Sequence, residues 1–501
     1  MLGESPVDVR NIRSDDVPAT MRATRHFLAC LGLLVAGSAS AQPHDLVVAS
    51  GRVMDPESGL DAIRHIGITA GTVRAVSETP LEGRETIDAT GLVVAPGFID
   101  VNISSQNWQA NEARVLDGVT TALVMESAPG DVEQWYDERR SGAVINYGAA
   151  VGHWQVRLAV MGDTGLEGEE QWREMEHSKA NPDQLAAILR GIDGGLRQGG
   201  LGVGMGLEYI PATTHAEALE VFRLAAAQGA PVHIHMRGWG YDDKRIRSYG
   251  DLYEIFGGII ATSADIHIKH INSSYADWTP IGLELISKAR SQGLPVTTEM
   301  YPYAFGSCVV GAAFFDDWET YPSEYFATKL RLASTGEWLT RETFRALREG
   351  NEEARLLCYD NTEEMVRIAL QSPMTMIASD GGSTLHPRIA GTFSRVLGHY
   401  VREEGLLTLM EALRKMTLMP ALHMESRAQS MRRKGRIQAG ADADLVIFDP
   451  DLIIDRSTVL EPLKQSVGMR AVLIHGVPVV RDGALQQGVF PGQPIRGPIT
   501  D

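Results

Sequence analysis

Four short apolar runs in this chain end in residues able to do chemistry. Leu123-Val124-Met125 leads into Glu126, and His233-Ile234-His235 carries two imidazoles. His267-Ile268-Lys269-His270 carries two more, and the run before Ser379 leads into Asp380-Gly381-Gly382. Each run reads as a β-strand, and side chains two apart on a strand share a face. His233 and His235 therefore point the same way, and Ile268 and His270 share a face from which His267 and Lys269 point away. Glu126, His235 and His270 make a one-carboxylate, two-imidazole set. That is a composition of catalytic zinc sites, in which the fourth position stays open for water. Asp380 would act on that water as general base and then as acid toward a leaving amine. One histidine on a strand, or one glutamate at a strand end, is ordinarily structural. The reading rests on all four standing at strand ends together. His233 is expected to orient His235, His267 and Lys269 to pack against helices, and Glu208 stands at another strand end.

These residues can meet only if the strands lie side by side and parallel. Between residues 93 and 431 short apolar runs alternate with helical patterns, the signature of parallel β/α units. Strand candidates end near Val101, Met125, Val151, Glu208, Met236, Ile271, Glu299 and Ser379. Eight such units predict an α/β fold, a TIM (β/α)8 barrel, whose reactive groups sit at the C-terminal strand ends. A doubly wound sheet is the alternative, but no GxGxxG follows the first strand. Residues 304–373 are too long for one βα loop, and with Trp318, Tyr321, Tyr325 and Phe326 they read as an insert or lid near the active face. Residues 42–92 and 432–501 both read as short β segments punctuated by Gly and Pro, which predicts one small β-sandwich built from both termini.

The first 41 residues read as a leader. Met21-Arg22-Ala23-Thr24-Arg25 is a basic start, Phe27 to Ala36 an apolar run too short to span a bilayer, and Ser38-Ala39-Ser40-Ala41 a small-x-small site. A Sec-type signal peptide from about Met21, cleaved after Ala41, would place the protein in the periplasm or outside the cell, with no membrane span in the mature chain. The formal net charge of −18 argues against nucleic acid as a partner. The chain has three cysteines, with no CxxC motif and no disulfide framework. Cys308 and Cys358 read as unpaired buried thiols.

Longer motifs make the chain recognisable. Ala95-Pro96-Gly97-Phe98-Ile99-Asp100, Gly118-Val119-Thr120-Thr121 and Lys434-Gly435-Arg436 through Ala443-Asp444-Leu445-Val446 resemble signatures of the amidohydrolase superfamily. His386-Pro387-Arg388-Ile389-Ala390-Gly391-Thr392-Phe393-Ser394-Arg395 resembles the strand-eight loop of the N-acyl-D-amino-acid deacylases. Gly152-His153 with Arg157, and Glu299-Met300-Tyr301-Pro302-Tyr303, are similar to the same group. The resemblance runs from about residue 44 to about 498. It implies a zinc cofactor and hydrolysis of the amide bond of an N-acyl-D-amino acid, a small-molecule partner. It maps metal ligands onto His235 and His270, the acid/base onto Asp380, and the strand-two ligand onto Glu126, with Ser127 at the position where some members use Cys. It also maps substrate contacts onto Arg388, Tyr301, Tyr303, His153 and Arg157.

One departure matters. The family carries a His-x-His pair two residues after the strand-one Asp, and here Asp100 is followed by Val101-Asn102-Ile103-Ser104. The resemblance assigns those two histidines to the more exposed of two metal ions, so one zinc ion is expected rather than two. The other readings are a periplasmic binding protein that has lost catalysis, and an amidohydrolase acting on a cyclic amide or a dipeptide.

Overall fold

A computed structural model describes residues 43–104, 106–162, 169–238 and 244–500. The expected leader lies outside the described residues. Eight parallel staves form the barrel. They are Phe98–Asp100, Val119–Val124, Asn146–Ala149 continuing as Val151–Gly152, Val203–Gly206, Val232–His235, Ile266–Ile268, Val296–Met300 and Thr375–Ile377. Hydrogen bonding runs from the first stave to the third and from the third to the eighth. The ring closes where Ile103 bridges Gly381 in parallel and Ser104 N donates to Gly381 O at 3.2 Å. The eighth stave thus returns to the first, which excludes the open doubly wound sheet. Stave residues such as Val119–Val124 are buried without interruption, because the barrel interior covers one face and helices the other.

Local signals start the outer helices where the chain must turn back. Thr214 Oγ1 caps Glu217 N at the head of His215–Ala227. Asn181 and Gln184 form a reciprocal capping box, with Pro182 at the first helical position of Pro182–Arg197, whose apolar stripe buries Ile188, Ile192 and Leu196.

Strands from residues 44–96 and from residues 445–485 join one sheet, nine-stranded among the described residues. Val93–Pro96 pairs antiparallel with Leu445–Phe448, and His44–Asp55 pairs with three neighbours, around a core that includes Leu46, Ile66, Val94, Leu445 and Leu473. The tail departs from the expected sandwich. Residues 491–499 leave the sheet and run along the barrel, where Ile495 N donates to Tyr147 O at 2.7 Å and Tyr136 Oη donates to Ile495 O at 2.5 Å.

The insert has a core of its own. Strands Gly306–Val309, Leu330–Leu332 and Arg355–Cys358 form an antiparallel sheet covered by Phe315, Trp318, Phe326 and Phe344. It ends before Glu363–Gln371, the barrel helix that leads into the eighth stave. Cys308 and Cys358 are free and buried on adjacent insert strands, with their sulfurs 2.7 Å apart.

A buried ion pair locks the helix after stave three, His153–Met161, to the helix after stave four. Arg157 Nη1 donates to both oxygens of Glu217 at 2.6 Å, and His153 Nε2 lies 2.9 Å from Glu217 Oε1, all three side chains being buried. Removing one partner of such a pair strands a charge without water. Glu217→Ala should therefore lower stability by about 3–5 kcal/mol, read as a fall in thermal or denaturant midpoint, while KM of the surviving folded enzyme stays at the wild-type value.

Candidate active site

A cavity of about 440 Å³ opens over the ends of the staves. Glu126, His235, His270, Asp380, Arg388 and Tyr301 line it, with an aromatic wall of Trp154, Tyr209 and Phe314. The insert supplies Cys308, Phe314 and Arg355 to that lining, so it does stand at the active face.

The expected donor set converges. One ligand atom from each of Glu126, His235 and His270 lies within 4.8 Å of the others. His235 Nδ1 is 3.2 Å from Glu126 Oε1 and 3.0 Å from His270 Nε2, which is itself 3.8 Å from Glu126 Oε2. His235 Nε2 contacts Glu208. Burial alone would push the His235 imidazole down. The charge of Glu208 and the bonds to Glu126 and Glu208 outweigh it and raise it to about 10. Burial would likewise raise Glu126, but the bond and charge of His235 hold it at about 2. His270, buried and facing His235, falls to about 3. The carboxylates around His235 thus favour positive charge at that point, which an ion on the three donors would supply in place of the proton. A borderline cation such as zinc fits this nitrogen and oxygen donor set.

Two of these side chains reach the cavity through unusual backbone. His270 and Asp380 have φ of 30° and 49°, in the left-handed region that non-glycine residues seldom occupy and that recurs at functional sites. At His270 this overturns the expectation from strand alternation. The sixth stave ends at Ile268, and the left-handed turn swings His270 round beside His235. His267 and Lys269, expected to face the helices, lie inside the barrel instead. His267 Nε2 is 3.4 Å from Glu299 Oε2, and Lys269 Nζ is 3.7 Å from Glu299 Oε1. His233 does not touch His235 either. It lies one layer deeper, its Nε2 3.2 Å from that of His423.

Asp380 is held from two sides. Asn102 Nδ2 donates to its Oδ1 at 3.4 Å, and Arg388 Nη1 lies 2.7 Å from its Oδ2. Burial raises its carboxyl to about 7 against the opposing charge of Arg388. Arg388 is buried, its guanidinium 4.9 Å from the Tyr301 ring centroid and its Nε without a described hydrogen-bond partner. Three expected substrate contacts lie elsewhere. His153 and Arg157 are spent on Glu217, and Tyr303 Oη donates to Pro387 O at 3.5 Å beneath the Arg395 guanidinium. None of the three lines the cavity. Sequence reasoning underrated Glu208, Asn102 and Glu299. Position at a strand end was the signal for Glu208, and Glu299 stood both at a strand end and in a deacylase-like run. Asn102 drew notice only as a missing histidine.

An α/β barrel with a two-histidine, one-carboxylate centre at its C-terminal mouth and an aspartate beside it defines a class of hydrolases. The model of the amidohydrolase family matches residues 85–480; the chain belongs to that family and is a hydrolase acting on amide bonds. The chain is similar to an N-acyl-D-glutamate deacylase of Alcaligenes xylosoxydans xylosoxydans, with 30% identity over 87% of this chain and 93% of that one. A D-aminoacylase of the same organism is 27% identical over 90% of this chain and 97% of its own. Among solved structures, an N-acyl-D-glutamate deacylase from Bordetella bronchiseptica, complexed with zinc and a phosphonate inhibitor, superposes with TM-score 0.76 at 26% identity, over 91% of this chain and 100% of that one.

A carboxylate on the far nitrogen of a ligating histidine fixes its orientation, and losing such a partner costs about 10–100-fold in metal affinity. Glu208→Gln should weaken zinc binding by about that factor, measured by competition with a chromophoric chelator. Affinity equal to wild type would show that Glu208 does not orient His235.

Proposed function

We propose that this protein hydrolyses the amide bond of N-acyl-D-amino acids, releasing a carboxylate and a free D-amino acid, with one zinc ion held by Glu126, His235 and His270. The observation that carries this reading is the convergence of that donor set, Asp380 and the buried Arg388 on one cavity. The names of the similar deacylases support the substrate class. Zinc, when bound, supplies Lewis acidity toward the scissile carbonyl and the attacking water. Asp380 takes a proton from that water at its carboxylate and delivers it to the nitrogen as the carbon–nitrogen bond breaks. Arg388 receives the substrate α-carboxylate. Its planar fork can bond both oxygens, and its Nε has no described hydrogen-bond partner. Trp154, Tyr209 and Phe314 offer the acyl chain an apolar wall. Carboxylate and acyl group thus have separate seats. Export through the leader at 21–41, and so action in the periplasm or outside the cell, belongs to the same proposal.

The decisive experiment is a panel of N-acyl-D- and N-acyl-L-amino acids assayed with zinc and after chelation. Turnover confined to the D series and abolished by the chelator is expected. Turnover of neither series, or survival after complete metal removal, would overturn the reading. His235→Ala and His270→Ala should each lose the bound metal by elemental analysis. Asp380→Asn keeps size but cannot accept a proton. It should retain zinc while turnover falls by about 10²-fold or more, the scale of general-base loss. Arg388→Lys keeps charge but loses the fork and should weaken binding by about 1.5–3 kcal/mol. Converting the substrate carboxylate to an amide should penalise wild type by a similar amount and the variant not at all. Equal discrimination by both enzymes would place the carboxylate on another group.

A further inference from the structure

The residues next to the metal set explain what became of a second ion position. Lys269 is fully buried inside the barrel, where its ammonium donates to Val101 O at 3.2 Å and lies 3.7 Å from Glu299 Oε1. Glu299, equally buried, has both of its oxygens engaged. Oε1 accepts from Asn102 Nδ2 at 2.6 Å and from His270 N at 3.3 Å, and Oε2 faces His267 Nε2 at 3.4 Å. Asn102 Nδ2 continues to Asp380 Oδ1. Asn102 stands where the family resemblance expects the first histidine of the His-x-His pair. The chain therefore has an amide donor in place of a nitrogen ligand, and beside it a fixed cation already paired with the nearest buried carboxylate. A second divalent ion would have to share Glu299 with an ammonium that cannot leave, beside an Asp380 already paired with Arg388, inside a low-dielectric barrel.

We propose that Lys269 is a built-in cation that replaces the second metal ion of this type of centre. Its ammonium holds Glu299, and Glu299 fixes the Asn102 amide against Asp380. Lys269 is a positioning residue, acting on the catalytic aspartate through Glu299 and Asn102. The proposal rests on the reading that Glu126, His235 and His270 hold one ion, and it adds that the neighbouring position is closed by charge rather than by the missing histidines alone.

The test counts zinc equivalents in the purified full chain by elemental analysis, and spin coupling between ions after cobalt loading. Restoring both histidines with Asn102→His and Ser104→His, while Lys269 stays, should leave one equivalent and no spin coupling. Adding Lys269→Gln to that pair should admit a second equivalent, with coupled cobalt spins. Two equivalents in the histidine-restored protein that keeps Lys269 would overturn the proposal, and this comparison holds even where the triple variant fails to fold. A folded triple variant that stops at one equivalent would overturn it as well. His235→Ala, measured alongside, reports on the first ion position separately, so that failure of the one-ion reading shows as retention of zinc in that variant.

Discussion

Carboxylates buried in the mouth of the barrel set the terms for everything around them. Glu126, Glu208, Glu299 and Asp380 are all largely out of water, and uncompensated charge there would cost far more than packing returns. The structure answers with positive charge placed among them. His235 lies between Glu126 and Glu208, Lys269 beside Glu299, and Arg388 beside Asp380. Each of these three partners comes from a different strand or loop. Closing the ring of strands and balancing the charge are therefore one problem, and neither is solved without the other.

The ring is closed by polar contacts from the strand-one motif and from the helix that follows it. Asp100 Oδ1 accepts from Ser379 N at 3.0 Å and Asn102 N at 3.2 Å, and Arg114 Nη2 donates to Gly381 O at 2.7 Å. The motif that marks the chain as an amidohydrolase thus works as the seam between the first and last strands. It delivers Asp380 to the cavity from the far side of that seam.

Most of the barrel was legible because buried parallel strands write themselves as short apolar runs, and their ends fell within a few residues of Val101, Met125, Met236 and Glu299. Glu126, His235, His270 and Asp380 were legible as a set for the same reason. What the sequence hid follows from two physical facts. Alternation assumes an extended backbone, and the left-handed turn at His270 breaks it, which reversed the assignment of Lys269 and His267. Pairing across the fold is also invisible along the chain. Nothing near His153 and Arg157 announces that Glu217, 64 and 60 residues later, takes both of them away from the cavity.

The tail along the barrel has a bearing on how the chain reaches its fold. Tyr136 in the second β/α unit and Ala149 in the third stave depend on hydrogen bonds that meet at the Tyr136 hydroxyl, whose own acceptor, Ile495 O, lies 359 positions further on. Early strands of the barrel cannot reach their final hydrogen bonding while that distant segment is still unsynthesised. Contacts of such sequence separation make folding slow and late. A long chain with such contacts is exposed to self-association while it folds.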